Sequence, residues 1–268
     1  MPRPDRLPNK HLVETAHHLA DASGKVILKH FRKPIAIENK AAGRALDPVT
    51  IADRAAEQII RKRLAAIHPE HAILGEEYGY AAAASPYTWV IDPIDGTRAF
   101  VTGMPLWGTL IGVTYEGRAE AGLMDQPYTG ERIWSTSAGT YWRRVDGRKE
   151  RVRTVPCRRL EDARLTATTP DMFSAGRERE AFSLLKAAAR LTRFGGDCYA
   201  YCLLAAGHID IIVEAGLQPY DVVALIPIIE QAGGVITTWD GGRPEGGGRI
   251  LACGDPRLHE AALRITAG

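Results

Sequence analysis

At 268 residues the chain has room for one large domain or two smaller ones sharing a core. Its hydrophobic content of 45% and charged content of 25% are ordinary globular values, and a formal net charge of +2 gives no ground for a nucleic-acid or membrane partner. With no apolar run near the roughly 18 residues of a membrane span, no signal-peptide core in residues 1–7 and no CxxC pair among its 4 cysteines, a cytoplasmic protein without a disulfide framework is expected.

Residues 11–31 place Leu12, Ala16, Leu19, Ser23, Val26 and His30 near a helical period and predict a helix. Thr50 and Asp53 form a capping-box pattern that starts a second helix running to Ile67, which His68 and Pro69 end. Residues 72–75 and 88–92 read as short strands. From Leu106 to Val155 short β-rich runs are punctuated by Glu116-Gly117, Thr129-Gly130 and Asp146-Gly147, the pattern of an antiparallel meander. Its basic stretch, residues 143–159, reads as an edge strand protected by charge, with contact to an anion as the alternative.

The second half alternates. Strands are expected at 164–168, 209–214, 235–239 and 250–253, and helices at 178–192, 199–206, 222–232 and 256–265. Pro227 predicts a kink or early break in the third of these helices. Cys198 and Cys202 share one helical face and read as packing residues. The glycine-rich residues 241–248 read as a loop without a catalytic role. The alternation gives an α/β protein of stacked helix and sheet layers. It divides into residues 1–155, with most of the acids discussed next, and residues 156–268, the two forming one functional unit.

Those acids stand at the ends of predicted elements: Asp47, Glu76, Glu77, Asp92, Asp95 and Asp221. Asp221 could simply cap its helix, and Glu76-Glu77 could belong to a solvated loop. Asp92 and Asp95 are harder to dismiss. Both leave one buried strand end, with Pro93 stiffening the turn between them, and without compensation they would repel or share a proton. An oxygen-only cluster suits a hard divalent cation, magnesium first, and no His or Cys spacing points to zinc. Two such ions about 4 Å apart would serve phosphate ester hydrolysis. Gly96 and Thr97 then supply a backbone that a phosphate can approach, and a hydroxyl.

The segments Asp47-Pro-Val-Thr-Ile-Ala-Asp53, Gly75-Glu-Glu77, Trp89-Val-Ile-Asp-Pro-Ile-Asp-Gly-Thr97 and Tyr220-Asp-Val-Val-Ala224 resemble, in order, the signature regions of the inositol-monophosphatase-like, magnesium-dependent phosphatases. The resemblance implies an αβαβα five-layer sandwich, a homodimer and lithium-sensitive hydrolysis of a small-molecule phosphate ester. It implies that Glu76, Asp92 and the Ile94 carbonyl hold one Mg2+ and that Asp92, Asp95 and Asp221 hold a second. Asp47 would reach a third, weaker position through water. Glu76, Thr97 and Asp53 would be catalytic, with Thr97 paired to Asp53 and orienting the attacking water. The amides of Gly96 and Thr97 would receive phosphate oxygens.

Gly195-Gly196-Asp197-Cys198-Tyr199 looks like the histidinol-phosphate phosphatases of this superfamily, and Asp95-Gly-Thr-Arg-Ala-Phe-Val-Thr-Gly103 fits that subgroup too. A carboxylate beside the leaving group would recognise the amine or imidazole of histidinol. Asp197 is expected to be that carboxylate, although it could instead cap a helix, and the resemblance implies that Gly196 and Glu214 also contact the alcohol. The expected reaction is L-histidinol phosphate to histidinol and phosphate, in histidine biosynthesis. The alternatives are an inositol, sugar or nucleotide phosphatase of the same fold, and a metal-binding regulator without turnover.

Overall fold

The computed structural model describes residues 7, 9–39 and 48–267; the expected ligand Asp47 lies outside them. Helix α1 (Asn9–Ile27) buries the predicted apolar stripe, including Leu12, Ala16 and Leu19. It is shorter than the expected 11–31, because the chain turns there and Arg32 takes a left-handed φ of 56°. Strands β1 (Ile37–Asn39) and β2 (Pro48–Thr50) then pair antiparallel. Helix α2 (Ile51–Ile67) starts as the sequence predicts: Ala52 N donates to Thr50 Oγ1 at 3.1 Å, and Thr50 N donates to Asp53 Oδ2 at 2.8 Å.

The next strands are β3 (Ala72–Gly75), β4 (Gly79–Ala81) and β5 (Tyr87–Asp95), followed by the short helix α3 (Thr97–Val101). The meander comprises β6 (Gly108–Tyr115), β7 (Arg118–Gln126), β8 (Glu131–Thr136), β9 (Gly139–Arg143) and β10 (Lys149–Val152). These form an 8-stranded sheet in the order β10-β9-β8-β7-β6-β5-β3-β4, with only the β3/β5 pair parallel. The basic stretch is an edge strand here. Its charges are used locally: Arg144 pairs with Glu150 and lies 4.0 Å from the Trp142 ring centroid.

In the second half β11 (Arg164–Ala167), α4 (Arg177–Ala188), β12 (Leu191–Phe194), α5 (Asp197–Ala205) and β13 (Ile211–Leu217) follow in turn. The helix expected over 178–192 stops at Ala188. The amides of Arg190 and Leu191 both bond the Ala163 carbonyl, and residues 191–194 then run parallel to β11 as an edge strand. Helix α6 (Pro219–Val222) and helix α7 (Leu225–Ala232) divide the apolar run expected as one helix. The break falls before Pro227, which sits in the first turn of α7, where a missing N–H is tolerated. Strands β14 (Val235–Thr238) and β15 (Gly248–Cys253) and helix α8 (Pro256–Ala267) complete the chain. The second sheet has 5 strands in the order β12-β11-β13-β15-β14.

The layers stack in αβαβα order. Helices α1 and α2 pack on the outer face of the large sheet, α5 and α7 lie between the sheets, and α4 and α8 cover the small sheet. Each interface has its own apolar cluster, around Leu12 and Trp89, around Tyr201 and Ile228, and around Phe173 and Trp239. Cys198 and Cys202 belong to the middle cluster and are packing residues. A Cβ on Gly122 would collide with the Ala224 carbonyl, so glycine lets the α6–α7 backbone lie directly on the large sheet. That close approach brings Asp221 to the end of β5.

Candidate active site

In a regular strand, residues three apart face opposite sides. Asp92 and Asp95 do not, because the ladder to β6 slips: Asp92 sits opposite Leu110 while Asp95 sits opposite Gly108. The β-bulge at Pro93-Ile94 therefore turns both carboxylates to one face. Asp221, in the first turn of α6, joins them, and carboxylate oxygens of Asp92, Asp95 and Asp221 all lie within 4.8 Å of one another. Each acid is held by a backbone amide. Asp92 Oδ1 accepts from Ile94 N at 2.9 Å, Asp95 Oδ2 from Cys198 N at 2.6 Å, and Asp221 Oδ2 from Gln218 N at 2.7 Å.

Burial pushes Asp92 well above the usual carboxylate range, and Glu76, Asp95 and Asp221 push it further. Burial does the same to Asp95, with Asp197 and Asp221 adding to it and the Cys198 amide opposing. Carboxylates crowded in this way bind either protons or a cation. The donor set is all oxygen and fits magnesium rather than a soft metal.

Glu76 follows β3, with its amide on the Ile91 carbonyl at 3.2 Å, and lies close enough to Asp92 to raise it. Asp53 is 1% exposed, and its Oδ2 accepts from the Thr50 amide at 2.8 Å and hydroxyl at 2.6 Å. Its Oδ1 is buried and has no hydrogen-bond partner among the described residues. Burial raises Asp53 to about 6 against the pull of the Thr50 bonds. The Thr97 hydroxyl donates to the Ile94 carbonyl at 3.1 Å, so Thr97 and Asp53 bond other partners here rather than one another.

Gly96, at φ 84°, begins α3. A Cβ there would meet the Asp197 carboxylate at 3.1 Å, so Asp197 rests directly against this residue. Asp197 itself has φ 43°, after Gly195 at 83° and Gly196 at 116°, a run of positive-φ backbone just where α5 begins. It does not cap α5: the N-cap is Gly196, and no side-chain capping bond exists. Burial raises Asp197 to about 6, opposed by Arg98. Glu214, 3% exposed, has both oxygens engaged. Oε1 accepts from Thr168 N at 3.0 Å and Thr168 Oγ1 at 2.5 Å, and Oε2 accepts from the Tyr201 hydroxyl at 2.8 Å. It ties Thr168 to Tyr201 rather than presenting a free carboxylate.

The profile of the inositol monophosphatase family matches residues 9–267. The chain belongs to the inositol monophosphatase family. It is 43% identical over 256 residues to "Bifunctional phosphatase IMPL2, chloroplastic" of Arabidopsis thaliana, spanning 91% of this chain and 72% of that protein. Identity to the histidinol-phosphatase of Mycobacterium tuberculosis is 34% over 226 residues, 83% of this chain and 86% of that one. An inositol monophosphatase from Zymomonas mobilis superposes with a TM-score of 0.84 at 37% identity, covering 97% of this chain and 99% of that chain. As a phosphatase of this family, the protein carries its acidic cluster where β5 and α6 meet.

Another cluster, His68, Glu70 and His71, has ligand atoms equally close together. It is not a metal site in this arrangement. His71 Nδ1 accepts the Trp89 indole N–H at 3.0 Å, so Nε2 keeps the ring proton and faces Glu70 at 3.1 Å. One residue of consequence escaped the sequence reading: Glu57, 0% exposed on α2. Its signal was an acid one helical turn after Asp53, on a face otherwise built from Ala52, Ala56 and Ile60.

Proposed function

We propose that this phosphatase hydrolyses L-histidinol phosphate to L-histidinol and phosphate, with Mg2+ as its cofactor. Glu76, Asp92, the Ile94 carbonyl, Asp95 and Asp221 would hold two ions, with Asp47 near a third. When bound, Mg2+ supplies an activated nucleophile at neutral pH and offsets the charge of the phosphate. The protein's own groups do the rest. The amides of Gly96 and Thr97 take phosphate oxygens, while Thr97 and Asp53 orient the attacking water, Asp53 through its unpartnered Oδ1.

The observation that carries the substrate is Asp197. It is a half-buried carboxylate without a capping role, lying against the residue that starts the phosphate cradle. Such a group discriminates in favour of an alcohol bearing an ammonium or imidazolium, since a charge-assisted bond there has no counterpart in a neutral polyol. Histidinol-phosphatases among the relatives support the same choice. Inositol phosphate hydrolysis is the second reading, favoured by the similarity to the Zymomonas mobilis enzyme. A homodimer and a cytoplasmic location complete the proposal; no described helix is long and apolar enough to cross a membrane. Expression in a histidine auxotroph lacking this phosphatase step tests it: growth without histidine is expected, and failure of an expressed, folded chain to restore growth would count against histidinol phosphate.

A further inference from the structure

We propose that Glu57 is a positioning residue for Glu76, an inference that rests on the metal-dependent reading above. A carboxylate with no exposure needs partners, and those of Glu57 lie in the loop that carries Glu76. Its Oε2 accepts the Glu77 amide at 2.7 Å, and its Oε1 accepts the Tyr78 amide at 3.2 Å. Arg61, one turn further along α2, supplies the counter-charge: its Nε meets Glu57 Oε1 at 2.7 Å, and its Nη2 reaches the Gly79 carbonyl at 2.5 Å. The amide of Glu76 itself is bound to Ile91 on β5 at 3.2 Å.

The peptide groups on either side of the Glu76 side chain are thus pinned to different elements, one to β5 and the next to α2. Gly75 is part of the same device. A Cβ at this position would collide with the Glu57 carboxylate, so only glycine allows the loop to close on it. The arrangement also links Asp53 and Glu57, neighbours on one face of α2, to the same centre: Asp53 has a free oxygen there, and Glu57 fixes the direction of Glu76.

The test is Mg2+ binding by calorimetry on the substrate-free protein, with activity as a function of Mg2+ measured in parallel. Glu57→Gln keeps the shape but turns an NH2 group toward a donor. Mg2+ affinity should fall about 10- to 100-fold, the usual effect of losing a group that orients a ligand, while turnover at saturating Mg2+ is largely recovered. Arg61→Met leaves both loop amides on Glu57 and should weaken Mg2+ less. A Glu57→Gln protein that melts earlier yet binds Mg2+ with wild-type affinity below its melting range would overturn the inference, reducing Glu57 to a structural role. If Glu57→Gln does not fold, Glu57→Asp, which keeps the charge but withdraws it from the Glu77 and Tyr78 amides, takes its place, and wild-type Mg2+ affinity in that variant overturns the inference equally. A wild-type protein that binds no Mg2+ would instead remove the metal-dependent reading, and this inference with it.

Discussion

Cys198 gives its backbone amide to the Asp95 carboxylate at 2.6 Å, joining the first turn of α5 to the acid at the end of β5. Asp197 precedes that amide and rests on Gly96, which follows that acid. The group proposed to select the alcohol and the group proposed to hold metal are therefore adjacent parts of one hydrogen-bonded unit.

Asp197→Asn removes charge while keeping a residue type that tolerates a left-handed φ. It should cut kcat/KM for histidinol phosphate by about 10- to 150-fold and leave a neutral-alcohol phosphate nearly unaffected. Asp197→Ala would confound the test with strain at φ 43°. Equal losses on both substrates would remove the recognition role. Glu214→Gln, by contrast, disturbs bonds to Thr168 and Tyr201 and should lower stability and both activities together.

Asp95→Asn separates repulsion from ligation. Burial is the main reason that Asp92 and Asp95 stand well above their ordinary range, and their mutual repulsion adds to it. In the metal-free protein the substitution removes a buried carboxyl and that repulsion, so the melting temperature without Mg2+ should rise. Activity should nearly vanish, and the stabilisation gained on adding Mg2+ should shrink, since that gain follows affinity. A variant as strongly stabilised by Mg2+ as the wild type would show that Asp95 is not a ligand.

Thr97→Ala takes the hydroxyl that now rests on the Ile94 carbonyl. Turnover should drop by about 10²- to 10⁴-fold with little change in KM. A raised KM alone would place Thr97 in substrate binding instead.

Acid stability provides an independent check on the outer layer. Burial lowers His17 and His71 to about 4, with Arg132 adding to the first and His68 to the second. The unfolded chain takes up these protons first, so their contribution is complete above pH 6.5 and is lost as pH falls toward about 4. Asp53 and Asp197, raised to about 6, act in the opposite direction. His71→Gln should therefore show a smaller drop in urea midpoint between pH 7 and pH 4.5 than the wild type. An unchanged drop would mean that His71 is not buried as a neutral ring.

The convergence of Asp92 and Asp95 was legible because Pro93 marks an interrupted strand and like charges need a reason to meet. The layers were legible because helical and strand periods alternate along the chain. Strand β12 was not, since Leu191 and Thr192 extend the apolar phase of α4 and it is the Ala163 carbonyl and the ladder to β11, distant in the chain, that redirect them. Glu57 stayed hidden because its partners are backbone amides, which no residue type advertises. Glu214 could be located but not interpreted: the sequence gives an acid at a strand end, while Thr168 and Tyr201, distant in the chain, decide what its oxygens do.

The most direct measurement is phosphate release from histidinol phosphate and from inositol 1-phosphate, each with Mg2+ and after exhaustive chelation. Neither substrate should turn over without metal and, with Mg2+ restored, kcat/KM should be at least about tenfold higher for histidinol phosphate, as expected of a single charge-assisted contact. Full turnover without metal would contradict the site assigned to Asp92, Asp95 and Asp221, and equal or reversed preference would contradict the substrate assigned to Asp197.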